Sequence, residues 1–145
     1  MDSEKIILED VYLTSLKIIE NPKGNILHGL KNTEEVFSQF GEAYFSKIKK
    51  GEIKGWKKHS KMKLNIIVPL GAIKFYLIDH KKGSSTYNMN MKVELSLLNY
   101  SRLTVPPGCW IAFEGMEEDN MLLNIASITH DPSEAETRDF SYFSI

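Results

Sequence analysis

Cysteine is almost absent from this chain. Its 145 residues contain one, Cys109, so no intrachain disulfide can form and a reducing compartment is expected. Cys109 lies in an apolar stretch and reads as a buried structural thiol. Net charge is equally scarce. Lys and Arg number 18 against 19 Asp and Glu, a formal charge of −1. The molecule as a whole therefore has no field to recruit nucleic acid or an anionic membrane, and any anion binding must be local. No apolar run approaches membrane-spanning length. The acidic start, Met-Asp-Ser-Glu-Lys, lacks the basic end and apolar core of a signal peptide, so a cytoplasmic protein is expected. No repeat, low-complexity segment or linker interrupts the sequence. At this length one core is attainable without disulfides or metal, so residues 1–145 are expected to form a single domain.

What the chain does have is short alternating segments separated by turn residues. Ala72 to Asp79 puts Ile73, Phe75 and Leu77 on one face, and Met91 to Leu97 sets Val93, Leu95 and Leu97 against Lys92, Glu94 and Ser96. Asn21-Pro22-Lys23-Gly24-Asn25, Lys50-Gly51, Gly83-Ser84-Ser85 and Pro106-Pro107-Gly108 punctuate them. Thr33 to Phe37 suggests one capped helical turn. About ten strands with little helix predict an all-β sandwich or barrel.

Residues 51–71 stand out. Five lysines and a histidine surround Trp56, and an apolar segment follows, ending at Pro69 and Gly71. Strand alternation over Ile53–His59 places Ile53, Gly55, Lys57 and His59 on one face and Lys54, Trp56 and Lys58 on the other. A base and a cation two residues apart on one rigid face can do chemistry. His59 is then a base or a histidine held by hydrogen bonds. Lys57 is a cation for a developing anion, a base in its own right, or a solvated side chain. Asn65 and Asn124 are polar residues in otherwise apolar strands, either core amides or ligands for hydroxyls. Trp56 and Trp110 read as core.

Two further marks narrow the fold. Gly51, Lys57-Lys58-His59 and Gly71 match the outline of the first cupin motif, and Pro106-Pro107-Gly108 matches the Pro-X-Gly of the second. Cupins are double-stranded β-helices of the jelly-roll type. The positions that ligate metal in metal-binding cupins are here Lys57, His59, Leu64 and Ile111. One ligand is too few for a divalent ion, and an ammonium repels it. No metal site is expected.

Five blocks carry a more specific resemblance: Gly-Glu-Ala-Tyr-Phe-Ser (41–46), Ile-Lys-Gly-Trp-Lys-Lys-His (53–59), Val-Pro-Leu-Gly (68–71), Tyr-Ser-Arg-Leu-Thr-Val-Pro-Pro-Gly (100–108) and His-Asp-Pro-Ser-Glu (130–134). They resemble the cupin sugar-nucleotide enzymes, in particular the dTDP-4-dehydrorhamnose 3,5-epimerase-like proteins. The resemblance implies a metal-free, cofactor-free isomerase of deoxysugar or surface-polysaccharide synthesis. It also implies a homodimer with exchanged N-terminal strands. Its substrate would be a nucleotide-linked 4-keto-6-deoxy sugar, epimerised at C3, C5 or both. Alternatives are a 3,4-ketoisomerase, whose Gly-Phe-His-Ala-His block matches Gly55 to His59 without a gap, and a sugar-nucleotide-binding cupin without activity.

Carried over residue by residue, the resemblance makes His59 the base, with Lys57 or Lys63 steadying the enolate. The epimerases' own base position is Lys57 here, and their acid, a tyrosine on the penultimate strand, falls at Leu123-Asn124-Ile125. Lys23 matches a nucleotide-holding arginine of the N-terminal turn. Tyr44, Asn65 and Asn124 are candidates for the sugar, and Arg102 for the diphosphate. Asp139 is the candidate partner that orients the histidine.

Overall fold

In a computed structural model, which describes residues 7–145, short strands stack into two five-stranded sheets. In chain order the strands are β1 (Tyr12–Ser15), β2 (Ile18–Ile19), β3 (Ile26–Leu27), β4 (Glu42–Lys49), β5 (Ile53–His59) and β6 (Leu64–Leu70). They continue with β7 (Ala72–Asp79), β8 (Asn90–Ser96), β9 (Ser101–Val105), β10 (Cys109–Gly115), β11 (Asp119–Ala126) and β12 (Ala135–Thr137). One sheet runs β1-β9-β6-β11-β4 and the other β12-β5-β10-β7-β8, all antiparallel; β2 and β3 form a separate hairpin.

The expected all-β jelly-roll architecture is present, with twelve strands among the described residues where about ten were expected. The extra ones are short pieces at the ends of the chain. Thr33 to Phe37 forms consecutive turns rather than a helix, with the Phe37 amide donating to the Glu34 carbonyl (3.0 Å). The C-terminal stretch adds β12 to the β5 edge through His59↔Ala135 and Lys57↔Thr137. Asp131 caps the single 3-10 turn before it by accepting from the Ser133 amide (3.0 Å).

Between the sheets, inward faces of alternating strands form the main core: Ile66 and Val68 of β6, Phe75 and Leu77 of β7, Leu103, Ile111 and Leu122. Each such aliphatic or aromatic side chain contributes roughly 1.5–3 kcal/mol on burial. A second cluster sits outside β5, β10 and β7. There Trp56 and Trp110 are covered by Phe140 and Phe143, and the Trp56 indole N–H donates to the Phe140 carbonyl (2.9 Å). This cluster ties the chain end to β5 and thereby fixes β12.

Gly71 closes the β6–β7 turn at φ +74°, where a Cβ would stand 2.3 Å from the Asp119 carbonyl oxygen. Gly55 lies so close to β10 that its Cβ would be 2.7 Å from the Ala112 Cα. Only glycine serves at either place.

Candidate functional site

A cavity of about 390 Å³ opens between the sheets at the β5 end of the sandwich. One wall is β5, supplying Lys57 and His59. The opposite wall is β4 and β11, supplying Tyr44, Ser46 and Asn124. Leu64, Ile66, Ile111, Phe113 and Leu122 give it an apolar lining, and Thr137 and Arg138 border it from the C-terminal segment.

His59 is 9% exposed. Its Nδ1 is bonded to the Glu134 carboxylate, and the other carboxylate oxygen accepts from the backbone N–H groups of Ser60 (3.1 Å), Lys61 (3.0 Å) and Met62 (3.3 Å). Burial favours the neutral acid. The hydrogen bond with His59 and those from the Lys61 and Met62 amides outweigh it, holding the Glu134 carboxyl below its ordinary range. An ionised Glu134 accepting at Nδ1 fixes the tautomer that leaves the Nε2 lone pair free, which is the form a base requires.

Lys57 lines the same cavity and has no hydrogen-bond or ion-pair partner among the described residues. Lys54 also lines it, its ammonium donating to the Lys47 carbonyl (2.7 Å) and Ser46 Oγ (3.3 Å). Simple alternation puts Lys54 on the opposite face. A register shift opposite Ile111 and Phe113 gives β5 one extra residue and turns Lys54 inward. Among the described residues no carboxylate lines the cavity. It is a cationic, partly apolar chamber suited to an anion with a carbohydrate or aromatic part.

The remaining candidates divide. Tyr44 and Asn124 line the cavity and touch each other. Asn65 is buried on the outer side of β6, accepting from Thr104 Oγ1 (2.6 Å), and is a core amide rather than a cavity residue. Lys63 reaches the Val36 carbonyl (2.8 Å) outside the cavity, because the short β5–β6 connection carries it past the opening. Arg102, the candidate for the diphosphate, is instead fully buried. It donates to the Gly29 carbonyl (2.6 Å) and pairs with Glu34, pinning the loop that covers β9. Lys23 sits in the exposed β2–β3 turn, away from the cavity. Asp139 caps the last turn by accepting from the Ser141 amide (3.2 Å); the carboxylate that reaches His59 is Glu134. Sequence reasoning missed it although its block had been singled out, since 75 residues separate the pair. The described residues hold no cluster of three His, Cys, Asp or Glu side chains able to hold a metal ion, and none of their helices is long and apolar enough to cross a membrane.

The two-sheet β-sandwich, with a histidine–carboxylate pair and two lysines at the cavity between its sheets, is that of a cupin. The chain belongs to the dTDP-4-dehydrorhamnose 3,5-epimerase family, whose model matches residues 5–140. Among solved structures it is similar to a dTDP sugar isomerase from Desulfovibrio desulfuricans G20, with 33% identity over 93% of this chain and 87% of that one and a TM-score of 0.89. The fold is shared with the dTDP-4-dehydrorhamnose 3,5-epimerase of Sulfolobus tokodaii (23% identity, 98% and 85% covered, TM-score 0.84). It is shared too with the dTDP-6-deoxy-D-glucose-3,5-epimerase of Legionella pneumophila Philadelphia 1, solved with dTDP-4-keto-L-rhamnose (18% identity, 94% and 76% covered, TM-score 0.84). Curated proteins give no significant match.

Proposed function

We propose that this protein epimerises a nucleotide-linked 4-keto-6-deoxy sugar by removing and returning a proton beside the ketone. The observation that carries this reading is the His59–Glu134 pair facing the same cavity as the unpaired Lys57. His59 Nε2 takes the α-proton, and the C–H electron pair becomes the carbon–carbon double bond of an enolate. The Lys57 ammonium stabilises the negative oxygen, an effect strengthened by the apolar lining. Reprotonation at the same carbon restores the ketone, with no net oxidation. Lys54, at the same cavity, adds positive charge suited to a nucleoside diphosphate.

The family's setting supports a place in deoxysugar or surface-polysaccharide synthesis in the cytoplasm. A homodimer with exchanged N-terminal strands is supported by the exposed Tyr12, Leu13, Ile19 and Ile26 on those strands; light scattering on the purified chain tests it.

The activity is tested by incubating dTDP-4-keto-6-deoxyglucose with the protein in D2O and following C3 and C5 by NMR. Deuterium with inversion at either carbon is the expected result. Migration of the ketone would instead make the protein an isomerase. Absence of exchange, with the nucleotide sugar still raising the melting temperature, would make it a binding protein.

A further inference from the structure

The two walls of the cavity are chemically unlike. His59 and Lys57 occupy the β5 wall; Tyr44 and Asn124 face them from the other sheet, where they are direct cross-strand partners. Asn124 is only 2% exposed. Its Nδ2 donates to the Tyr44 phenol oxygen (3.1 Å), while its Oδ1 has no partner among the described residues. A buried amide oxygen left alone is costly, so an unfilled acceptor at a cavity wall points to a ligand that donates there. The other half of the amide is equally informative. Because Asn124 gives an N–H to the phenol oxygen, the phenol keeps its own proton free to direct elsewhere, and a phenolate formed by losing it would be stabilised. The remaining hydroxyls of the lining, Ser46 and Thr137, are aliphatic alcohols and far weaker acids than a phenol.

We propose that Tyr44 is the acid that returns a proton to the sugar on the face opposite His59, with Asn124 as its positioning residue and the Asn124 amide oxygen accepting from a sugar hydroxyl. This rests on the epimerase reading above and gives it a direction. His59 removes the α-proton from one side, leaving the enolate. The double-bond pair then takes the Tyr44 proton on the other side, the oxygen's electron pair re-forms the carbonyl, and a phenolate held by the Asn124 N–H remains. Solvent exchange returns the proton from the imidazolium to the phenolate. Nothing is oxidised, and the configuration at carbon is reversed.

The test is Tyr44→Phe, which keeps the ring and removes the acid, assayed with dTDP-4-keto-6-deoxyglucose in D2O. Inversion should fall by about 10²–10⁴-fold, while His59 continues to wash deuterium into the same carbon with retention. Asn124→Ala should raise KM for the nucleotide sugar and lower inversion more than deuterium exchange, which a merely structural residue would not do. A melting-temperature shift with dTDP equal to wild type establishes that each variant is folded. If Tyr44→Phe inverts the sugar at the wild-type rate, or loses exchange and inversion together while still binding dTDP, Tyr44 is not the acid and the epimerase reading stands. If the wild-type protein itself shows no exchange, both readings fall.

Discussion

Glu134 is the residue whose replacement tests the geometry of the site most sharply. Changing it to Gln keeps the volume and one carbonyl oxygen. That oxygen belongs with the three backbone N–H groups of Ser60, Lys61 and Met62, since an amide NH2 there would face three donors. The NH2 is therefore turned toward His59 Nδ1, which must become an acceptor. The tautomer reverses, Nε2 carries the proton, and the lone pair needed for abstraction is gone. Deuterium exchange should fall roughly 10²–10⁴-fold, with the melting temperature within about 5 °C of wild type because the loop bonds persist. Glu134→Ala separates the two roles. It strands the buried Nδ1–H and the Lys61 and Met62 amides, while the Ser60 amide keeps its bond to the residue-134 carbonyl (2.8 Å). The cost is about 3–5 kcal/mol by analogy with breaking a buried pair, or roughly 10 °C in Tm for a chain of this size. Exchange by NMR and a thermal melt on the two variants suffice. If Glu134→Gln retained exchange within tenfold of wild type, the carboxylate would be holding a loop and not a base.

Three further outcomes follow from the same contacts. Lys57→Met should reduce exchange by about 10²-fold or more, whereas Lys63→Met, whose ammonium caps the Val36 carbonyl outside the cavity, should leave it within a few-fold; parallel rate measurements decide. Arg102→Met should destabilise the chain by about 2–4 kcal/mol in urea melts through loss of the Gly29 and Glu34 contacts, with KM for the nucleotide sugar unchanged. Burial raises the pKa of Asp79, but hydrogen bonds from Ser84, Thr86 and Lys81 outweigh it and bring the value to about 2 from 3.8. The group therefore contributes about 2 kcal/mol that is fully present above pH 3.8 and is lost as the pH falls through about 2. Asp79→Asn should be less stable by that amount at pH 6 and match wild type near pH 2 in denaturant melts.

The parts of this protein that follow a period of two were readable in advance. Ala72–Asp79 forms the expected strand, with Ile73, Phe75 and Leu77 in the core, because nothing interrupts its alternation. Lys57 and His59 share a face for the same reason. Lys54 was not readable, since one extra residue in β5 reverses the face and a bulge leaves no pattern in a seven-residue strand. Asn65 and Asn124 look alike in sequence, each a lone amide among aliphatics. Which side of its sheet each faces depends on what covers that sheet, and the loop held by Arg102 covers the outer side. Glu134 was hidden differently: its role depends on β12 joining the β5 edge, a contact set by the aromatic cluster around Trp56 rather than by any local signal.

The division of labour between the walls follows from the sandwich itself. A flat sugar ring lying between two sheets shows one face to each, so groups on β5 and groups on β4 and β11 meet it from opposite sides. Two bases on one strand, the His pair of the resembling ketoisomerases, would act on a single side and suit moving a proton along the ring. Here the first of those positions is Lys57, and an ammonium has no lone pair with which to accept a proton. It can hold an oxyanion but cannot shuttle. With one base on the β5 wall and a phenol on the other, the protein is built to take a proton from one face and restore it from the opposite one, which is inversion at carbon rather than migration of the ketone.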